Sequence, residues 1–317
     1  MAVIAVNLTS TQVTAAAISI AGKVMHKKTI ALEKKTGKDV SILIQNQIEC
    51  LLNIYKNDPI QIKSIGISVP GISYSKNGTV WAPNIPGWEN YPLLKDLTNF
   101  LSDSDIKIKI GSNRTCHILG EYWQGAAKKS KNAIYLSVGN GIGAGILIDG
   151  KILHGFNDGV GAVGRLCLGQ PFDNTYKDKG FFNAKASWVG MVESIAEKKS
   201  KQKNYEGFFS DKDLKTVNIF DMFHAYKIKD KIAVSIFNEC IEYWGMAAAD
   251  LISLFNPEIF IFGGSVFGPA LEFLNDIKNV TAKWAQPHNY VNVKFLGSQL
   301  GMNAALFGAG QLASGKF

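Results

Sequence analysis

Residues 137–151 read Ser-Val-Gly-Asn-Gly-Ile-Gly-Ala-Gly-Ile-Leu-Ile-Asp-Gly-Lys, with four glycines at alternate positions from 139 to 145. Asn132–Val138 leads into it and Gly143–Ile148 ends it, so we predict two strands joined by a glycine-rich turn. Glycines at 139, 141, 143 and 145 leave backbone N–H groups unobstructed, which lets them approach phosphate oxygens. In isolation, a tight turn that binds nothing explains the same glycines equally well.

The same triple-strand pattern opens both halves of the chain. In the second half, Lys151–Leu153 follows the two strands just described, and the first half opens with Ala2–Val6, Gln12–Ile20 and Lys23–Ala31. Helices and strands then alternate in both halves. The predicted helices are Val40–Ile54, Leu93–Leu101, Ala184–Lys198, Ile232–Phe255 and Leu271–Trp284, and the further strands are Ser64–Val69, Ile106–Ile110 and Ile259–Phe262. Two similar α/β halves predict a ligand cleft between them.

Composition favours a globular protein without a basic nucleic-acid surface. The 317 residues carry a formal charge of +8, but of 34 Lys+Arg only Arg114 and Arg165 are arginine. Dispersed lysine is typical of a solvated surface, so we expect no nucleic-acid partner. No apolar run approaches the ~20 residues that a membrane span needs. The four cysteines form no CxxC pair and the five histidines no ligand pattern, which favours reduced thiols, a cytoplasmic protein and no zinc site.

A second glycine pair follows the strand Ile259–Phe262. The segment Asn256-Pro-Glu-Ile-Phe-Ile-Phe-Gly-Gly-Ser265 ends that strand in Gly263-Gly264, ahead of a helical region. Glycines at the carboxyl end of a strand let an adenosine approach the edge of an α/β sheet. A simple glycine turn is the alternative.

Together with Ile67-Ser-Val-Pro-Gly71, Ala82-Pro-Asn-Ile-Pro-Gly-Trp88 and Gly301-Met-Asn-Ala-Ala-Leu-Phe-Gly308, these motifs resemble the ROK family of repressors and sugar kinases. The resemblance covers essentially the whole chain. It implies the actin/hexokinase-type (ribonuclease H-like) α/β fold, with two domains around a central cleft that binds ATP–Mg²⁺ and a hexose. We expect residues 1–113 plus a C-terminal helix, about 301–317, to form one domain and 114–300 the other.

The resemblance also assigns site residues. For nucleotide and phosphate, with ATP or ADP and Mg²⁺ as the cofactor, it implies Asn7, Thr11, Gly139, Asn140, Gly141, Gly143, Gly263 and Gly264. For the sugar it implies Gly71, Asn84, Ser112, Asn113, Asn157, Ala162, Arg165 and Asn183. No metal ligand is assigned to the chain itself.

This chain departs from the family pattern at the residues that carry chemistry. The family's Asp-x-Gly-Gly-Thr is Asn7-Leu-Thr-Ser-Thr11 here, and the general-base Asp of its Asn-Asp-Ala-Asn motif is Asn113. Gly-Glu-x-Gly-His has become Gly161-Ala-Val-Gly-Arg165, and a second sugar-binding Glu has become Asn183. The family's zinc-binding cysteine cluster is missing from the sequence. An amide hydrogen-bonds a hydroxyl but cannot accept its proton at neutral pH.

Three functions remain open at this point. The first is a degenerate sugar kinase that binds a sugar, sugar phosphate or nucleotide without efficient phosphoryl transfer. The second is an active but divergent ATP-dependent hexose kinase with unusual residues in the old roles. Asp158 is either a relocated acid or base or an ordinary loop carboxylate. The third is a regulatory partner acting through protein contacts. Because the first strand begins at residue 2, we expect no winged helix ahead of it and no conventional repressor; a homodimer is expected from the resemblance.

The two arginines both fall inside altered motifs, and that suggests an anionic ligand. Asn113, Ala162 and Asn183 replace acidic residues, while Arg114 and Arg165 add positive charge. An arginine fork suits a phosphate or carboxylate better than a neutral hydroxyl. The alternative is that Arg114 faces solvent and that Arg165 pairs with an internal carboxylate such as Asp158 or Asp173.

Overall fold

A computed structural model describes residues 1–202 and 204–315 as two five-stranded sheets covered by helices. The strands are β1 (Ala2–Leu8), β2 (Gln12–Ser19), β3 (Val24–Ala31), β4 (Ile62–Val69), β5 (Ile72–Ser73), β6 (Val80–Trp81), β7 (Lys107–Ser112), β8 (Ala133–Val138), β9 (Ile142–Ile148), β10 (Lys151–Ile152), β11 (Ile259–Gly263) and β12 (Lys294–Gly297). The helices are α1 (Gly37–Ile54), α2 (Leu93–Phe100), α3 (Asn113–Gln124), α4 (Thr175–Lys179), α5 (Phe181–Ala186), α6 (Trp188–Lys201), α7 (Ile219–Lys227), α8 (Lys231–Phe255), α9 (Leu274–Trp284), α10 (Pro287–Tyr290) and α11 (Ala304–Ala313).

The predicted internal repeat is present as a repeat of strand order. The first sheet runs β3-β2-β1-β4-β7 and the second β10-β9-β8-β11-β12, so each sheet places its opening three strands beside two later ones. In the first sheet β1 is antiparallel to β2 and parallel to β4, which is parallel to β7. In the second, β8 is parallel to β11, and β11 to β12. Parallel strands end at the same edge of a sheet, so each half collects its loops along one carboxyl edge.

The chain forms two compact units. The first comprises residues 1–130, 145–160 and those from Met302 onward; the second comprises Lys131–Ala144 and Gly161–Gly301. Residues 114–130 and 145–160 therefore differ from the predicted halves, which assigned them to the C-terminal domain. The physical reason is clear for α3, because it packs against α11, and α11 also packs against β1 and β4.

The sheet of the first unit is buried on both faces. On one face Ile4, Val6 and Leu8 of β1 contact the apolar side of α1. On the other, Val3 and Ala5 contact α11. Because strand side chains alternate between faces, a continuous apolar β1 is what a sheet covered on both sides requires.

Several elements of the second unit differ from their predictions. The helix predicted over Ala184–Lys198 is two helices, α5 and α6, because Ser187 leaves the helical conformation and its hydroxyl accepts from the amide N–H of Gly190 at 3.1 Å. The helix predicted over Leu271–Trp284 begins as a 3-10 turn before α9. Neither α7 nor β12 was expected. In the first unit, the helix expected over about 301–317 is observed as α11, and residues 316 and 317 lie outside the described part.

Candidate functional site

The start of α3 carries the position that the resemblance assigns to the general base. β7 ends at Ser112, whose hydroxyl accepts from the amide N–H of Thr115 at 3.3 Å and so caps α3. Asn113 is the first residue of that helix and is partly exposed. Ser112 was expected to contact the sugar, yet it is buried and its hydroxyl is occupied by the cap, including a 3.2 Å contact with the Thr115 hydroxyl.

Arg114, the next residue, braces two loops of the first unit. Its guanidinium donates to the carbonyl oxygen of Gly71 at 3.2 Å and to that of Gly159 at 3.4 Å. Burial lowers the pKa of Arg114 below its ordinary value. Within the described residues no carboxylate lies within the 4.0 Å salt-bridge distance of Arg114. The expectation that Arg114 faces solvent is therefore wrong.

Gly71 is required by its own geometry. Its φ is +76°, and a Cβ there would lie 2.0 Å from the carbonyl oxygen of Trp81. Any side chain would both strain the backbone and collide with β6. The predicted sugar contact at residue 71 thus offers backbone atoms, and its carbonyl already accepts from Arg114.

Asn84 and Asn157 lie on two exposed turns of the same unit. The turn with Asn84 is closed by Ala82 N–H to Trp88 O at 2.7 Å, and Trp88 is fully buried and donates to the carbonyl of Gly37 at 2.9 Å. These contacts hold the turn rigid while the Asn84 side chain stays exposed. Asn157 directly precedes Asp158, whose carboxylate anchors the loop.

Asp158 anchors the loop that carries Asn157. Its carboxylate accepts from the amide N–H of Ser75 at 2.9 Å and from the Ser75 hydroxyl at 3.0 Å, and His154 Nδ1 lies 3.5 Å away. Asp158 has a φ of +58°, an uncommon conformation for a residue with a side chain. The carboxylate is therefore tied to its own unit, and it does not pair with Arg165.

The β1–β2 turn, where the resemblance to the family predicts a phosphate loop, is closed by hydrogen bonds among its own residues. The Thr9 hydroxyl accepts from the amide N–H of Thr11 at 3.3 Å and of Gln12 at 3.1 Å, and it donates to the carbonyl of Gln12 at 3.2 Å. Asn7 stands in β1 opposite Thr14. Backbone groups that glycines would leave open to phosphate are here occupied by a side chain.

In the second unit the two glycine-rich turns meet. β8 and β11 are parallel neighbours, and Val266 N–H after β11 donates to Val138 O at 3.0 Å. Gly264 has a φ of +91°, and a Cβ there would lie 2.4 Å from the same Val138 oxygen, so only glycine fits. The predicted nucleotide residues Gly139, Asn140, Gly141, Gly143, Gly263 and Gly264 therefore share one edge of the second sheet.

Asn183 and Arg165, predicted to contact sugar, bond to backbone within the second unit. Asn183 Oδ1 accepts from the amide N–H of Ile142 at 2.7 Å and its Nδ2 donates to Lys179 O at 2.8 Å. Exposed Arg165 donates to the carbonyls of Lys177 and Asp178 at 2.9 and 2.8 Å, near the end of α4. It pairs with neither Asp158 nor Asp173, so that expectation is wrong. Ala162 is exposed and brings no polar group.

Sequence reasoning missed the self-bonded turn at Thr9 and the brace made by Arg114. The first had a local signal, because a threonine hydroxyl readily accepts from amides two and three residues onward. The second had none, since Gly71 and Gly159 lie far from Arg114 in sequence.

No group of three or more His, Cys, Asp or Glu residues able to hold a metal ion occurs in the part of the chain that the structure describes. No described helix is long and apolar enough to cross a membrane.

The two repeated sheets, with glycine turns at their carboxyl edges, define the actin/hexokinase-type fold. A glucokinase from Streptomyces griseus in complex with glucose and AMPPNP shares that fold, with a TM-score of 0.80 at 23% identity, over 99% of this chain and 100% of that one. Residues 3–316 match the ROK family, to which this chain belongs. It is 27% identical to the glucokinase of Halalkalibacterium halodurans over 98% of this chain and 94% of that protein. It is also 31% identical to the xylose repressor of Caldicellulosiruptor bescii over 86% of this chain and 69% of the repressor. The chain is thus a sugar kinase-like ROK protein.

Proposed function

We propose that this ROK protein binds a sugar-class small molecule in its first unit and does not transfer phosphate to it efficiently. Two similarities support the sugar class: the glucokinases resemble the chain over nearly its whole length, and one solved relative holds glucose. The exposed amides of Asn84 and Asn157 supply neutral donors and acceptors suited to hydroxyl groups. The homodimer expected from the family remains part of this proposal.

The observation that carries the loss of catalysis is Asn113 as the first residue of α3. A side-chain amide cannot take the proton of a sugar hydroxyl, and losing a positioned base lowers rates by roughly 10²–10⁴. Nothing else on this helix replaces it. Glu121 is the acidic residue within α3, but it is fully buried and accepts from the amide N–H of Ala126 at 2.7 Å.

The turn at Thr9 supports weak nucleotide binding. Phosphate oxygens would have to displace the Thr9 hydroxyl from the amides of Thr11 and Gln12. Mg²⁺ prefers carboxylate oxygens, and Asn7 offers an uncharged amide at the family's aspartate position. We therefore expect ADP and ATP to bind weakly, with little dependence on Mg²⁺.

The proposal assigns the nucleotide to the carboxyl edge of the second sheet. The turn Gly139–Gly141 is exposed at Asn140 and Gly141, and the Gly263-Gly264 turn lies beside it. Open amide groups on a turn attract phosphate oxygens, while the adjoining glycines admit an adenosine. Calorimetry with ADP and ATP, each with and without Mg²⁺, measures this directly. Micromolar and strictly Mg²⁺-dependent ATP binding would contradict it.

One observation favours the alternative of a divergent hexose kinase. The carboxylate of Asp158 is in the same loop as Gly159, whose carbonyl contacts Arg114, the neighbour of Asn113. A carboxylate can serve as a general base when it comes within reach of the hydroxyl. Its bonds to Ser75 would have to be shared or broken for this role.

A coupled assay of ADP release across glucose, mannose and N-acetylglucosamine tests both readings. For a degenerate kinase, wild-type turnover stays far below the roughly 10 s⁻¹ typical of enzymes. Asn113→Asp then restores at most a trace, because Asn7 and the two lost sugar carboxylates are unchanged. Ordinary turnover that Asp158→Asn abolishes, while Asp103→Asn leaves it intact, would establish the divergent kinase instead. Asp103 is an exposed loop residue of the same unit.

A further inference from the structure

Arg114 carries a positive charge that no carboxylate of the described residues neutralises. Guanidinium carries five N–H donors, and the described residues accept from it at two places, the carbonyls of Gly71 and Gly159. A carbonyl satisfies a hydrogen bond but leaves the net positive charge in place. Sheltering a charge from water without a counter-ion is costly, and the lowered pKa of Arg114 reflects that cost.

The position of Arg114 in its helix adds to this cost. It lies in the first turn of α3, where the helix dipole is positive and where anions are favoured. No acidic residue occurs in that turn. A lysine or arginine is ordinarily stabilising at the other end of a helix. The guanidinium charge and the positive end of the helix dipole thus coincide at the start of α3, next to Asn113, the position that the family uses for catalysis.

The carboxylate of Asp158, one residue before Gly159, forms its hydrogen bonds with Ser75 and not with Arg114. Asp158 precedes Gly159 in the chain, but its oxygens accept from Ser75 and face His154. The loop 154–159 is thereby fixed at two points, through Asp158 to Ser75 and through Gly159 to Arg114. This arrangement holds Arg114 and the exposed Asn157 in a fixed relation without neutralising the arginine.

We infer that the small molecule bound by the first unit carries an anionic group, a phosphate ester or a carboxylate, that pairs with Arg114. This inference rests on the proposed function and names the chemical class of its ligand. An arginine fork forms strong, charge-assisted hydrogen bonds to both groups. Asn84 and Asn157 would contact the hydroxyls of the same molecule.

Calorimetry on the full chain at constant ionic strength provides the test, with glucose, glucose 6-phosphate, glucuronate and inorganic phosphate as probes. We expect glucose 6-phosphate or glucuronate to bind at least about tenfold more tightly than glucose, since a hydrogen bond to a charged group contributes about that much. The comparison of the phosphate ester with the carboxylate distinguishes the two sources of charge. Inorganic phosphate alone should bind more weakly than the sugar phosphate.

Three variants separate Arg114 from general charge effects. Arg114→Gln should remove the preference for the anionic sugar. Lys63→Gln removes one positive charge at the opposite end of β4 from Gly71, and it should leave the preference unchanged. Asn113→Asp supplies an internal counter-charge next to Arg114 and should reduce the preference at least about tenfold. Because this last change is isosteric, it keeps the test valid if Arg114→Gln does not fold.

The outcomes distinguish this inference from the function on which it rests. Equal binding of glucose and both anionic sugars overturns the inference and leaves the proposed sugar binding intact. A preference that survives both Arg114→Gln and Asn113→Asp also overturns it. Absence of binding by all the sugars overturns the proposed function and the inference together.

Discussion

The contact between α3 and α11 sets the position of Asn113 and Arg114, and replacing Gly308 by alanine should disturb it. A Cβ at Gly308 would lie 1.7 Å from the carbonyl oxygen of Cys116 and 2.6 Å from its Cα. Both of these Cys116 atoms belong to the backbone of α3, so neither can move without shifting the whole helix. Gly120 makes the reciprocal contact, since a Cβ there would lie 2.1 Å from Ala304 O.

The magnitude follows from two opposing terms. Overpacking of this kind costs about 3 kcal/mol, and alanine regains about 1 kcal/mol of helix propensity over glycine. We therefore expect Gly308→Ala to lose about 2 kcal/mol of folding free energy, or about 4–8 °C in the melting midpoint of a unit of 150–250 residues.

Gly310→Ala on the same helix is the matched control. There the nearest atom to an added Cβ is Trp123 Cζ3 at 3.0 Å, which belongs to a side chain that can move. The propensity gain should offset the packing cost, so this variant should stay close to wild type. Thermal and urea denaturation followed by circular dichroism measure both variants. If Gly308→Ala proves as stable as Gly310→Ala, the proposed backbone contact between the helices does not exist.

Three further predictions concern the turn at Thr9, the charge at Asn113 and the pH dependence of stability. The double variant Thr9→Gly, Ser10→Gly should lower the free energy of unfolding by about 1 kcal/mol, because the hydrogen bonds of the Thr9 hydroxyl disappear. ATP should bind more tightly to this variant in calorimetry, and an unchanged ATP affinity would contradict the prediction. Asn113→Asp should stabilise α3 by about 0.3–1 kcal/mol at pH 7 through the helix dipole, and the gain should vanish near pH 3, where the carboxylate is protonated. Burial lowers the pKa of His117 to about 4. An unfolded histidine has a pKa near 6.5, so the contribution of His117 to the free energy of unfolding should be fully present above that pH. This free energy should fall by at most about 3 kcal/mol as the pH drops to 4, because the unfolded chain then binds a proton that the folded protein does not. His117→Gln should flatten this slope in urea titrations.

Much of the fold was predictable because its strands are apolar and its turns rich in glycine. The predicted strand Ala2–Val6, observed as part of β1, and the turn after Val138 indicated the repeated opening of the two sheets. α3 was not expected from periodicity, since its twelve residues mix Arg114, His117 and Glu121 with the apolar ones. The break at Ser187 between α5 and α6 depends on one side-chain cap, which periodicity does not register.

The candidate site was predictable as a set of positions but not as a set of contacts. Motif order identified Asn113, Asn183 and Arg165. What these side chains touch depends on loops distant in sequence: Asn183 bonds to Ile142, 41 residues away, and Arg165 to the carbonyl of Lys177, 12 residues away. A motif specifies where a residue stands, whereas its partners depend on the packing of the whole unit.

The residues that depart from the family motifs are held by hydrogen bonds within their own unit. Thr9, Arg165 and Asn183 each bond to backbone of their own unit, so the loops that carry these motif positions are hydrogen-bonded without a ligand. Such bonds stabilise the fold whether or not a substrate is present. Arg114 differs, because its hydrogen bonds leave a sheltered positive charge without an acid at the start of α3. Stability alone would favour a neutral residue at that place, and the anionic ligand that we infer would supply the missing counter-charge.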